Sequence, residues 1–369
     1  MSVDAYPVAP SILKMRWHLA LRPARIIVAI LLVLLILSFG SYLPIPANIA
    51  HSAHRISFGR IPNFSHHGEK LAYATYLAGT SKNPPPEDRD NFFVATRMLV
   101  YQILHDPVTK SQKGLPMIVL VDPLVTESKR QRLEKDGARV IPVEYLRPKT
   151  TWLKPLKPRW RDLMVKLRLW ELQEYDRILF MDSDTMLARP MDDIFDEPGA
   201  QWQGSMNNTV ADEGQLAPEY VMAGVLEVPR NHSYPPKEED FFSLDIFNGG
   251  FFICAPSQRL FRHYKKILEI PQRFNSDLME MALLNYAHRK DGPMPWGRLP
   301  NTWSIRNPNW RDVEGGVASV HEKWWKAQEF KLDWELGHWF REIGWKMQGF
   351  YFYTDWDSRS NKGRKSKRA

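Results

Sequence analysis

Asp182 and Asp184 stand one residue apart, directly behind the apolar run 178–181, in the stretch RILFMDSDTML. Carboxylates are costly to bury without a partner. Two of them at a strand end can face one divalent cation, because Mn2+ and Mg2+ take carboxylate and phosphate oxygens as ligands. A nucleoside diphosphate would supply the remaining oxygens. The competing reading is a polar turn, for which Asp and Ser are ordinary residues. His321 ends an apolar stretch and is followed by Lys323 and Lys326. Its imidazole can complete a transition-metal site made of carboxylates, and the lysines would act as point cations toward phosphate. A single histidine is equally an ordinary structural residue.

Asn248 precedes Gly249 and Gly250. That is an amide followed by backbone which a ligand can approach closely, or a glycine bulge entering a strand. Lys166 belongs to a basic stretch, 149–168, interleaved with Trp152 and Trp160. Its other cations read as a solvated face.

These residues need elements to position them. Apolar patterning predicts a strand over 70–79, a proline-rich loop over 81–91 and a helix over 92–105. A buried strand over 115–122 follows, then a helix over 126–136 stopped by Gly137 and a strand over 138–146. An amphipathic helix over 161–175 leads into the strand that carries Asp182. Strands alternating with helices argue for an α/β fold with a mostly parallel sheet. In such sheets ligands bind beyond the C-terminal strand ends, where Asp182 and Asp184 fall. The second half reads as a strand over 245–257, helices over 257–269 and 277–288, a short strand ending at His321, and an aromatic-rich helix over 332–348.

Taken in order, LAYATYL, VKLRLWELQEYDRILFMDSDTMLARPMDDIF, FNGGFFICAPS, EMALLN and VHEKWW resemble the family 8 glycosyltransferases, the glycogenin-like group. The resemblance covers most of 70–326. It implies a GT-A fold, a Mn2+-dependent UDP-sugar donor (with Mg2+ as the other cation) and transfer with retention of configuration. It also implies that Asp182, Asp184 and His321 hold the metal, and that Thr75, Tyr76, Asp182, Ser183, Gly250 and Lys323 bind the donor. Glu280, Lys166 and Asn248 would work at the reacting sugar. Two departures stand out. The C-terminal motif lacks the usual glycine and proline, which leaves Lys323 and Lys326 both open as the diphosphate contact. Met281 replaces an amide beside Glu280.

The chain has 369 residues, a net charge of +8 and a pI near 9.3. Part of that excess is terminal, and no nucleic-acid module accompanies it, so nucleic acid is not read as a partner. The lone Cys254 excludes an intrachain disulfide. Residues 26–43 carry no charge and as a helix would span roughly 27 Å, about one bilayer core. Basic residues precede them, which predicts a cytosolic 1–25 and an uncleaved signal-anchor over 26–43. A stem over 44–69, a GT-A domain over 70–350 and a basic tail over 351–369 complete the reading. Sequons at Asn63, Asn207 and Asn231 fit a luminal catalytic domain. Joined to the resemblance, these features predict a single-pass type II Golgi membrane protein that glycosylates a glycan acceptor on protein or lipid. A non-catalytic UDP-sugar-binding scaffold is the alternative. A glycoside hydrolase is excluded, because Asp182 and Asp184 are too close in sequence to flank a bond from opposite faces.

Overall fold

Strands buried on both faces read as unbroken apolar runs. Such runs make the centre of the fold in the computed structural model, which describes residues 68–79, 85–207 and 210–366. β1 (Leu71–Leu77), β2 (Met117–Val121), β3 (Arg139–Pro142) and β4 (Arg177–Met181) are all parallel, in the order β3-β2-β1-β4. α1 (Asn91–Leu104), α2 (Glu127–Lys135) and a 3-10 helical segment (Pro158–Glu171) connect them. α1 starts where the Asp90 carboxylate accepts from the Phe93 amide, a side-chain cap on an otherwise unpaired donor.

β5 (Thr185–Leu187), β6 (Gln203–Gly204), β7 (Glu219–Tyr220), β8 (Met222–Leu226) and β9 (Phe247–Cys254) follow. α3 (Gln258–Glu269), α4 (Glu280–Ala287), β10 (Gly297–Arg298), β11 (Ile305–Arg306), α5 (Trp310–Glu314), β12 (Ser319–His321) and α6 (Trp334–Ser366) complete the order. β9 lies antiparallel between β4 and β8, and β10 closes that edge, giving one mixed sheet in the order β10-β8-β9-β4-β1-β2-β3. β11, β12 and β5 form a separate small sheet, and β6 pairs with β7.

Alternate side chains of each strand go to opposite faces. Ala72, Ala74, Ile178 and Phe180 therefore pack on one side of the main sheet with Trp170 and Tyr264. Tyr73, Leu77, Leu179 and Met181 pack on the other with Phe93 and Leu99 of α1. A third cluster under α6 holds Leu336, Phe340, Ile343 and Met347.

The expected α/β architecture with a mostly parallel sheet is present, β9 alone entering antiparallel, and three elements differ. The helix before β4 winds in 3-10 turns: Met164, Val165, Lys166, Leu167, Leu169 and Trp170 are all buried, and those positions do not follow one 3.6-residue stripe. β3 stops at Pro142, which has no amide to donate to a ladder and sits on an edge strand where that is tolerated. The last helix runs well past 348, since no proline follows Pro308 to stop it. The cytosolic segment, the charge-free run 26–43 and nearly all of the stem lie outside the described residues. Among the described residues no helix is long and apolar enough to cross a membrane.

Candidate metal and nucleotide site

β4 delivers Asp182 to its C-terminal end, where the Asp182 amide donates to the Gly250 carbonyl of β9 at 2.8 Å. The chain then turns, with the Thr185 amide on the Asp182 carbonyl, and leaves as β5. β12 pairs antiparallel with β5 and sets His321 opposite Thr185. That register brings His321 Nε2 to 3.0 Å from Asp184 Oδ1 and 3.8 Å from Asp182 Oδ2. Ligand atoms of Asp182, Asp184 and His321 all lie within 4.8 Å of one another. His321 Nδ1 is buried with no hydrogen-bond partner among the described residues. Two carboxylates and an imidazole form a donor set suited to a divalent transition metal. Lys323 Nζ lies 3.2 Å from Asp184 Oδ2. Burial opposes ionisation of Asp184, but the neighbouring His321 and Lys323 outweigh it and hold the carboxyl well below the usual range.

Lys166 reaches the same strand end from the 3-10 segment. It is buried, with Nζ 2.8 Å from Asp182 Oδ1, 3.0 Å from Glu280 Oε1 and 3.2 Å from the Gly249 carbonyl it donates to. All three ammonium donors are thereby used. Burial disfavours its charge, yet the two carboxylates more than compensate and keep it an ammonium. One cation cannot fully serve two acids. Glu280, the more deeply buried, has its carboxyl pushed up by burial despite Lys166. Its Oε2 has no partner among the described residues. A break in the chain aims it: Met279 takes φ +50°, a region costly for a side-chain-bearing residue, and α4 restarts at Glu280.

β9 brings up the third wall. A Cβ on Gly250 would lie 2.6 Å from both Asp182 Oδ2 and His321 Cε1, so a side chain there would displace both groups. One on Gly249 would lie 2.8 Å from Met281 Cβ. Both ends of the Asn248 amide are held by protein. Oδ1 accepts from the Gly250 amide at 2.6 Å, and Nδ2 donates to Glu227 Oε1 at 2.5 Å. Asn248 therefore holds the Gly249–Gly250 backbone against the acids.

Asp182, Asp184, His321, Lys166, Glu280, Gly250 and Lys323 are thus joined by direct contacts, and Asn248 is joined through Gly250. Ser183 is buried between the acids. Lys326 turns away to Glu329 at 2.5 Å, which leaves Lys323 as the lysine beside the site. Thr75 and Tyr76 are buried on β1, whose Ala74 lies opposite Phe180 of β4. The Tyr76 hydroxyl is occupied by Asp122, to which it donates at 2.9 Å. Glu227 was not among the sequence candidates. Its signal was available: it ends the apolar run of β8 as Asp182 ends that of β4.

No protein-family model matches the chain. An uncharacterized protein of Schizosaccharomyces pombe is 28% identical over 304 residues, 73% of this chain and 78% of that protein. Galactinol synthase 2 of Arabidopsis thaliana is 25% identical over 203 residues, 55% of this chain and 56% of the synthase. Among solved structures, the galactosyltransferase LgtC in complex with donor and acceptor sugar analogues aligns with a TM-score of 0.41 at 13% identity, covering 74% of this chain and 95% of that one.

Proposed function

We propose that the chain is a GT-A-type glycosyltransferase that moves a hexose or N-acetylhexosamine from a UDP-sugar to a glycan acceptor. The observation that carries this reading is the convergence of Asp182, Asp184 and His321 at the C-terminal end of β4, with Lys166 and Lys323 on either side. The sequence likeness to galactinol synthases supports it. Asp182, Asp184 and His321 would hold Mn2+ or Mg2+, whose bound charge would neutralise the negative charge that gathers on a departing diphosphate.

The chain's own groups divide the remaining work. The sugar–phosphate bond breaks through an oxocarbenium-like transition state, and negative charge grows on the leaving group. Lys323 is a partly exposed cation beside that position. Lys166, wholly engaged by Asp182, Glu280 and Gly249, orients Asp182 rather than reaching outward. Glu280 Oε2 is a buried acceptor without a donor, which suits a sugar hydroxyl. Asn248 positions the Gly250 backbone.

The secretory-pathway, type II Golgi setting is part of the proposal. Its support is the charge-free run 26–43 and the exposure of two sequon asparagines, Asn207 and Asn231.

Calorimetry on the full chain tests the site. UDP is expected to bind in the presence of Mn2+, to lose that binding on chelation, and to fail with Asp184→Asn. Metal-independent UDP binding that survives the substitution overturns the assignment. Turnover across a panel of UDP-sugars separates the enzyme from the scaffold: binding with no turnover of any sugar would select the scaffold.

A further inference from the structure

α6 has two apolar faces, and the fold uses only one. Leu336, Phe340, Ile343, Met347 and Tyr351 are buried against the domain. Asp355 ties the same helix down through Arg132 at 2.6 Å and Lys135 at 2.7 Å. On the other side Trp334 is 72% exposed, Trp345 59%, Phe352 76%, Tyr353 65% and Trp356 57%. Trp334, Trp345, Phe352 and Trp356 are spaced by 11, 7 and 4 residues, which returns to one line on a helix of 3.6 residues per turn. Ring contacts join it in two groups: the His338 ring lies 6.2 Å from Trp334 and 6.4 Å from Trp345, and Tyr353 lies 6.3 Å from Trp356.

Five large aromatics facing water on one side of one helix make an exposed patch of the kind that marks an interaction site. Two features select the partner. The aromatics are mostly Trp and Tyr, whose amphipathic rings prefer a membrane–water interface to a dry protein core. Directly beyond them the chain carries Lys362, Arg364, Lys365, Lys367 and Arg368 with no acidic residue among them. Aromatic residues followed by an uncompensated basic cluster match an anionic lipid surface, where apolar insertion and headgroup attraction add.

We propose that α6 is an interfacial membrane-binding helix. It lies flat on an anionic bilayer surface with Trp334, Trp345, Phe352 and Trp356 inserted at headgroup depth. This surface is separate from the charge-free run 26–43, and the proposal stands apart from the chemistry of the metal site and from the luminal setting, because anionic lipid is concentrated in the cytoplasmic leaflet, which a luminal domain does not face.

A dye placed on the helix tests it. The full chain, with Tyr353→Cys labelled by an environment-sensitive probe, is mixed with vesicles of phosphatidylcholine containing phosphatidylserine. Cys254 is buried and stays unlabelled. A blue shift, with quenching by lipids spin-labelled near the headgroup, is expected; it should weaken in zwitterionic vesicles and at high salt. The run 26–43 is present in every variant, so Trp345→Ser, Phe352→Ser and Trp356→Ser are compared on the same background. Each should weaken the probe's response to vesicles, by about tenfold in lipid concentration, with unchanged far-ultraviolet dichroism. An unshifted probe in all vesicles overturns the proposal. So does a lipid-independent blue shift that grows with protein concentration, which would make the stripe a contact between copies. A blue shift in the isolated dilute protein overturns it as well, since the stripe is then covered by the chain itself.

Discussion

Lys166 and Glu280 meet 3.0 Å apart, both almost wholly removed from water, and the same ammonium holds Asp182 at 2.8 Å. A buried ion pair adds little net stability, but removing one partner strands the other. Lys166→Met is therefore expected to destabilise the fold by about 3–5 kcal/mol. The double variant Lys166→Met, Glu280→Gln should recover part of that loss, because the stranded carboxylate is gone. Urea unfolding of the two singles and the double measures the coupling. Simple additivity would mean that the contact carries no energy.

Gly250 offers a cleaner probe of the site, since its Cβ would collide with Asp182 and His321 and not with the core. Gly250→Ala should push the carboxylate and imidazole apart. The expected result is at least a tenfold loss of Mn2+ affinity by calorimetry or electron paramagnetic resonance, with little change in the urea midpoint. Unchanged affinity would show that the donor set does not hold the cation.

The two lysines behind His321 should behave differently. Lys323 lies on Asp184, whereas Lys326 is engaged by Glu329. Charge-assisted hydrogen bonds are worth on the order of 1.5–3 kcal/mol. Lys323→Ala should weaken UDP binding by about tenfold or more, and Lys326→Ala should leave it nearly unchanged. The reverse order would mean that the loop rearranges when nucleotide binds.

Stability should fall in acid through His288. Its ring is fully buried, with Nδ1–H donating to the Met294 carbonyl and Nε2 accepting from the Tyr264 hydroxyl. Burial lowers its pKa from the ordinary 6.5 to about 3. Protons then bind the unfolded chain more tightly than the folded one. The contribution is intact above about pH 6.5 and shrinks as pH falls toward 3, reaching a loss of about 2 kcal/mol by pH 5. His288→Gln should flatten the slope of stability against pH across that window by up to one proton. An unaltered slope would place the acid sensitivity elsewhere.

The parts of this arrangement that were legible in the sequence are those where one local pattern has one physical meaning. Runs such as RILFM and FFIC are apolar on both faces and had to be interior strands. The acids after Met181 had to leave such a strand at its end. His321 followed because a short apolar stretch stopped on it. Pairing between distant segments was not legible. Nothing local announces that β9 enters antiparallel, that three residues of β12 seek three of β5, or that Asn248 is occupied by Glu227. The resemblance pointed to Lys166 and Glu280 but not to their mutual contact, which depends on a strained Met279 and on a helix wound more tightly than its pattern suggested.

The small sheet has a consequence for the order in which the molecule assembles and comes apart. His321 is set against the acids by the three register pairs between β12 and β5 and by the Glu322 amide on the Asp184 carbonyl. Those strands lie outside the main sheet, so they can detach while it stays intact. A growing chain that has completed β4 and β9 owns both acids and the glycine cradle but no imidazole. Cation binding should therefore appear last during synthesis and vanish first under mild denaturant, with amide exchange at Val320 and Met186 reporting the opening before exchange in β1 or β4 does.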